Sequence, residues 1–148
     1  MIAHLWILPE EFSKVLELAH SEHIPLHEAE LRTLEITHAE TGRFVAERWR
    51  LPEDMIAVAT FHHDPQSASC CRDLVALISL SDILCRMNHL GHGSVEDRQV
   101  DLEEEPGFAI LIKERAQLQH FDWARFTFEM EAYMEEVRRL VTLMYRPS

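Results

Sequence analysis

The sequence lacks the features that mark membrane-spanning, secreted or nucleic-acid-binding proteins. No run of about 18 consecutive apolar residues occurs, which excludes a spanning helix. The apolar start, residues 1–9, has no basic segment and no small-residue cleavage site, so we do not expect a signal peptide. Lys and Arg number 14 against 26 Asp and Glu, and the formal charge is −12. A chain this acidic is a poor ligand for nucleic acid or an anionic membrane.

Cysteine is scarce as well. The chain has only Cys70, Cys71 and Cys85, an odd number with two adjacent residues, which is not a disulfide framework. The adjacent pair does not bridge easily because a disulfide between neighbouring residues is strained. These cysteines therefore predict a reduced protein in the cytoplasm.

Glycine and proline are few, at 4 and 6, and no alternating strand pattern or hairpin dipeptide is found. The pattern predicts an all-α fold with the whole chain, 1–148, as a single domain. Its parts are a motif-bearing region 1–90, an acidic loop 91–107 and C-terminal helices 108–148. We expect seven helices. Five have the ranges Pro9–His20, Pro25–Leu34, Ser69–Asn88, Pro106–Gln117 and Trp123–Tyr145. The third helix begins at His38, and the fourth runs from the turn at 51–54 to Asp64.

Local signals fix some of these elements. Thr37 is expected to cap the third helix, with Glu40 completing a capping box, and Asp122 to cap the last one. Apolar spacing places Trp49 in the core. The same spacing gives the last helix one apolar face, made of Phe126, Met130, Tyr133, Val137, Leu140, Val141 and Met144.

Four residues are candidate metal ligands: His38, His62, His63 and Asp82. Imidazoles with a carboxylate suit Zn, Mn, Fe or Ni. Asp82 lies within a helix among apolar neighbours, where a carboxylate is unusual. Adjacent residues on a helix diverge by about 100°, so we expect at most one of His62 and His63 to face a given core residue.

Each of these residues also has a structural explanation. His38 follows a helix cap, and His62 and His63 suit a helix C-terminus as cations. Asp82 is placed to pair with Arg86 one turn later. On this alternative the histidines only satisfy polar contacts of a scaffold.

Five short motifs together resemble a known family. In chain order they are Glu28-Ala29-Glu30, His38-Ala39-Glu40-Thr41-Gly42, Trp49-Arg50-Leu51-Pro52, His62-His63-Asp64-Pro65 and Leu80-Ser81-Asp82-Ile83-Leu84. Their order and spacing resemble the C-terminal half of an HDOD domain, a signalling branch of the HD-domain superfamily. The resemblance spans roughly residues 9–90 and implies an HD-domain-like bundle of six or seven helices.

The resemblance also carries expectations about function. Metal-dependent HD phosphohydrolases use an early His, a His-Asp doublet, further His residues and a late Asp. His38, His62, His63 and Asp82 match the later positions, and no His-Asp pair precedes His63-Asp64. The resemblance therefore implies an N-terminally truncated bundle with no catalytic residues and with at most a divalent transition metal as cofactor.

Two functional hypotheses remain. The first is a non-catalytic signalling or regulatory module that binds a protein partner or a small signal. The alternative is a metal-dependent phosphohydrolase of the HD type that acts on a nucleotide or a cyclic dinucleotide. The apolar strip at residues 2–8 also needs cover, because large exposed apolar patches mark interfaces. We therefore expect self-association through this N-terminal face, as a homodimer.

Overall fold

The fold is a set of short helices joined by tight turns. A computed structural model describes residues 8–88, 90 and 100–144, and these contain seven α-helices, two 3-10 helices and no strand. The helices are α1 (Pro9–Glu22), α2 (Leu26–Leu34), α3 (His38–Arg48), α4 (Glu53–Phe61), α5 (Arg72–Met87), α6 (Pro106–Glu114) and α7 (Trp123–Met144). The all-α prediction is confirmed. None of the described helices is long and apolar enough to cross a membrane.

Several helix ends differ from the sequence-based expectation, two of them beside a 3-10 helix. Helix α5 begins at Arg72 rather than Ser69, because residues 65–67 form a 3-10 helix and Cys71 adopts a left-handed backbone with a φ of 49°. Helix α6 ends at Glu114 rather than Gln117, because residues 116–118 tighten into the second 3-10 helix. In both places a short turn replaces the expected end of the α-helix, although the residue types there are compatible with a regular helix.

The predicted caps are confirmed. The Thr37 hydroxyl accepts from the Glu40 main-chain N–H at 3.2 Å, and a Glu40 carboxylate oxygen accepts from the Thr37 N–H at 2.9 Å. The Asp122 carboxylate accepts from the Arg125 N–H at 2.9 Å, at the start of α7. Reciprocal bonds of this kind satisfy main-chain donors that have no partner within the helix.

Among the described residues, the buried apolar side chains form three small clusters. One joins α1 to α2, a second lies where α4 meets α5, and a third joins α5 to α6. Their buried members are Phe12, Val15, Ala19, Leu26 and Ala29; Ala57, Ala68 and Val75; and Ala76, Ile110 and Leu111. The small residues among them allow α5 to pack closely against its neighbours.

Gly107 shows how close that packing is. A Cβ atom at this position would lie 3.1 Å from both the Ala76 carbonyl oxygen and the Leu80 Cγ. A larger side chain would require α5 to give way by a few tenths of an ångström, and glycine allows α6 to lie directly on α5.

The expectation that Trp49 lies in the core is wrong. Trp49 is the C-terminal cap of α3 and its side chain is 71% exposed. Ala46, one turn earlier on the same face, is buried. The inner face of α3 is covered along its first turns only. Helix α3 ends with its cap at Trp49, and the chain turns through residues 50–52 into α4, so no element of the described chain covers the Trp49 side chain.

Some expectations fall on residues outside the described part. The apolar strip at residues 2–7, most of the acidic loop 91–107 and the end of the last helix at Tyr145 are among them. The division of the chain into three regions, and the use of the N-terminal face in self-association, stay predictions.

Candidate metal centre

A buried carboxylate lies at the base of the candidate site. Glu30 is on α2 and is fully buried, on the same side of the helix as Leu26 and Ala29. One of its oxygens, Oε2, lies 2.8 Å from the His38 main-chain nitrogen and 2.5 Å from His38 Nδ1. A buried carboxylate that has lost its contact with water is stable only when it accepts charge-assisted hydrogen bonds of this kind. Glu30 thereby fixes both the start of α3 and the orientation of the His38 ring.

The end of α4 supplies two further imidazoles. Helix α4 ends at Phe61, His62 is its cap, and the chain then turns. The His62 Nδ1 bonds to the Val58 carbonyl at 3.0 Å. The expectation that only one of His62 and His63 faces inward does not hold. Because the helix stops before His63, the 100° divergence of neighbouring helical residues no longer applies.

The three imidazoles meet through their Nε2 atoms. His38 Nε2 lies 3.2 Å from His62 Nε2 and 2.9 Å from His63 Nε2. One ring nitrogen of each histidine lies within 4.8 Å of one ring nitrogen of each of the other two. An ion bound at the usual Zn–N distance of about 2.0–2.1 Å would see such neighbouring nitrogens at roughly 90–100°. The His38–His62 and His38–His63 nitrogen pairs therefore have the spacing of neighbouring ligands of one ion.

The partners of the Nδ1 atoms decide which ring nitrogens are ligands. In His38 and His62, Nδ1 faces an acceptor, respectively the Glu30 carboxylate and the Val58 carbonyl. We therefore assign the proton of each ring to Nδ1, which leaves the Nε2 lone pair directed at the cluster. An outer acceptor that orients a metal-binding imidazole is common in metal proteins.

Electrostatics keep two of the rings neutral. Burial, followed by the neighbouring imidazoles of His62, His38 and His27, lowers the pKa of His63 to about 2. Burial and His38 also lower the pKa of His62. Neutral imidazole is the form that binds metals. The explanation of these residues as cations that favour a helix C-terminus does not fit these shifts.

Asp82 lies beside the cluster and not among its three nitrogens. Its Oδ2 is 3.9 Å from His63 Nδ1 and 3.2 Å from Arg86 Nε. The alternative that Asp82 pairs with Arg86 on α5 is therefore confirmed. Asp82 therefore lies on the Nδ1 side of the His63 ring, away from the Nε2 atom that faces His38, and from there it can orient the ring.

Sequence reasoning missed two residues of the site. Glu30 belongs to one of the five motifs, but the motif alone assigns it no role. The His27 ring stacks on His63, with centroids 4.6 Å apart and planes 21° apart. Burial, followed by the charge of His38, lowers the pKa of His27 too. Glu30 had a usable signal, since it lies one turn after Leu26 on an apolar face, whereas His27 had none.

An apolar groove begins at His38. Its volume is about 500 Å³, and His38 is the only one of the three clustered histidines among its lining residues. Helices α3, α4 and α5 supply the rest of the lining, which is mainly apolar and includes Gly42, Trp49, Met55, Val58 and Ile78. A groove of this size is within the range of ligand-binding sites.

Comparison with known proteins agrees with the motifs. The HDOD domain family model matches residues 1–65. This segment is therefore similar to HDOD domains. It includes Glu30, His38, His62 and His63, whereas Asp82 and helices α5 to α7 lie beyond the matched residues.

Two relatives extend the comparison. The crystal structure of an HDOD domain protein with unknown function from Geobacter sulfurreducens superposes with a TM-score of 0.77 at 26% identity, over 93% of this chain and 47% of that one. An uncharacterized protein of Treponema pallidum (strain Nichols) is 30% identical over 79 residues, which is 53% of this chain and 15% of that protein. This chain thus spans about half of the solved HDOD chain and a small part of the curated relative.

Proposed function

We propose that this chain is a metal-binding HDOD regulatory module, which passes on a signal by binding a protein partner or a small ligand and is not itself a catalyst. One observation carries the proposal. One ring nitrogen from each of His38, His62 and His63 lies within 4.8 Å of the others, and outer acceptors turn the His38 and His62 lone pairs inward. A divalent transition metal such as zinc fits three nitrogen donors of this kind.

The composition of the cluster favours regulation over catalysis. Hydrolysis by a two-metal site needs ligands that hold both ions and orient the attacking water. Within the described residues, the cluster contains three imidazoles and no carboxylate oxygen. Asp82, the fourth predicted ligand, is paired with Arg86. A single ion held in this way would order the junction of α2, α3 and α4.

The partner and the setting follow from charge and from the groove. A formal charge of −12 favours a neutral or basic partner and disfavours nucleic acid and anionic membranes. Exposed Trp49 and Met55 on the groove offer apolar contact area to such a partner. The free thiols of Cys70, Cys71 and Cys85 suit the cytoplasm, where we place this function.

Titration of chelator-treated protein with Zn²⁺ tests the proposal. We expect calorimetry to show one ion per chain, with protons released because the ion replaces them on the imidazoles. His62→Ala and His63→Ala should each weaken zinc binding by roughly 100-fold, since each removes a donor atom. Circular dichroism checks that both variants keep their helices.

His20→Ala is the matched control, because His20 is an exposed histidine on α1, away from the cluster. It should bind zinc as the unaltered chain does. The proposal is wrong if the chain binds no zinc with a defined stoichiometry, or if His20→Ala weakens binding as much as the cluster variants do.

The second candidate function is a metal-dependent phosphohydrolase acting on a nucleotide or cyclic dinucleotide. Three protein ligands with an open fourth position is the arrangement of catalytic zinc sites, and this observation favours it. His38, His62 and His63 would hold the ion, which when bound would polarise a phosphate oxygen or a water. Asp82 would orient the His63 ring.

Zinc- and manganese-loaded protein should be assayed with bis(p-nitrophenyl) phosphate and with a cyclic dinucleotide. Turnover that His63→Ala abolishes and His20→Ala retains would favour the hydrolase. Stoichiometric metal with no turnover would favour the regulatory module.

A further inference from the structure

The C-terminal half of α7 carries an apolar stripe that faces solvent. Tyr133, Val137, Leu140 and Met144 recur at intervals of four, three and four residues. Their side chains are 59%, 40%, 55% and 77% exposed. Val141, beside them, is 36% exposed. We call these five residues the α7 stripe.

The N-terminal half of the same helix is used within the chain. Phe126, Met130 and Met134 line an apolar cavity of about 420 Å³ with residues of α5 and α6. The Arg138 guanidinium donates to the Asn88 carbonyl at the end of α5, at 3.3 Å. Helix α7 is thus anchored along its first half and again at Arg138, and the stripe continues its apolar face beyond the cavity.

The spacing of the stripe indicates the kind of surface that covers it. Apolar residues alternating at three and four positions place a straight seam on a helix, and a second helix with the same seam packs against it as knobs into holes. We infer that the α7 stripe binds the α7 stripe of a second copy of this chain, with the two helices antiparallel.

The stripe is complementary to itself in that arrangement. With the two-fold axis between Arg138 and Arg139, Val137 of each copy faces Leu140 of the other. Tyr133 then faces Met144. A β-branched residue meets a longer one at the centre and an aromatic ring meets a flexible side chain at each end, so the seam fills evenly. The same patch on both subunits is what a two-fold dimer requires.

Area and charge agree with this arrangement. Two stripes with these exposures bury on the order of 1,000 Å² in total, which is near the lower limit of specific interfaces. The overlap is about 18 Å long. An antiparallel pair places the two anchored halves at opposite ends of the overlap, which separates chains that each carry a formal charge of −12. The inference does not depend on the three-histidine cluster.

Analytical ultracentrifugation of the full chain is the test. We expect a monomer–dimer equilibrium in the micromolar range, and Leu140→Glu should weaken dimerisation by roughly tenfold to a hundredfold, because it buries a charge in the seam. Leu140 is half exposed in the monomer, so the variant keeps the monomer fold, which circular dichroism verifies.

Leu31→Glu is the matched control, because Leu31 is 54% exposed on α2, close to the 55% of Leu140. It should dimerise as the unaltered chain does. A chain that stays monomeric at roughly 100 μM, or a dimer that Leu140→Glu leaves intact, would overturn the inference. In the second case the interface lies elsewhere.

Discussion

Replacing Glu30 with alanine is expected to lower the free energy of unfolding by about 3 kcal/mol. The side chain is fully buried, and one oxygen accepts from both the His38 main-chain N–H and its Nδ1. Alanine leaves two polar groups of His38 without this acceptor and opens a space at the junction of α2 and α3. Urea denaturation measured by circular dichroism gives the change.

Glu28→Ala is the control, because it also replaces one glutamate of α2 with alanine and so makes the same change in charge and helix propensity. Glu28 is on the same helix and pairs with Arg32, but the side chains are 40% and 47% exposed and so remain in contact with water. Exposed pairs contribute about 0–1 kcal/mol, so this variant should lose far less stability. A difference between the two variants smaller than about 1 kcal/mol would contradict the role given to Glu30.

Glu30→Gln separates stability from metal binding. Glutamine keeps the size of the side chain and an acceptor oxygen but removes the charge that polarises the His38 ring. Loss of an outer partner of this kind typically weakens metal binding by about 10–100-fold. If zinc binding by Glu30→Gln equals that of the unaltered protein, the carboxylate is structural only.

Acidification below pH 6.5 is expected to destabilise the metal-free protein, and His63 is the main cause. Its pKa is about 2 in the folded chain and 6.5 when unperturbed. Between these values the unfolded chain binds a proton that the folded chain does not, so stability falls as the pH falls. Well below pH 6.5 the loss from His63 alone approaches about 1.4 kcal/mol per pH unit, and between pH 7.5 and pH 5.5 it totals about 1.4 kcal/mol. The lowered pKa values of His62 and His27 act in the same direction.

Urea denaturation at pH 7.5 and at pH 5.5, with chelator present, measures this slope. His63→Gln should flatten it, because glutamine takes up no proton. His20→Gln, a change at an exposed position, should keep the slope of the unaltered chain. Equal slopes for the chain and His63→Gln would show that His63 is not the proton-sensitive group.

Much of the fold could be predicted from the sequence because its signals are local. Thr37 and Glu40 form their capping box whatever the rest of the chain does, and Asp122 caps α7 in the same way. Trp49 shows the limit of such reasoning. Helical spacing tells which residues share a face, but whether another element covers that face depends on where the chain goes next.

The site was predicted in composition but not in geometry. His38, His62 and His63 were named from their motifs, and their approach depends on α4 ending at Phe61, which no residue type dictates. A carboxylate on an apolar face was noticed at Asp82 but not at Glu30. The structure reverses their importance, since Glu30 is fully buried and the Asp82 side chain is 36% exposed.

One oxygen atom of Glu30 serves two acceptor roles, and this has a consequence for how the site can be observed. The atom that accepts from the first amide of α3 also accepts from the His38 ring. When an ion or a proton draws electron density from that ring, the oxygen shifts toward it and holds the amide less strongly. The hydrogen-exchange rate of the His38 main-chain amide therefore reports whether an ion or a proton is bound at Nε2 of the same residue.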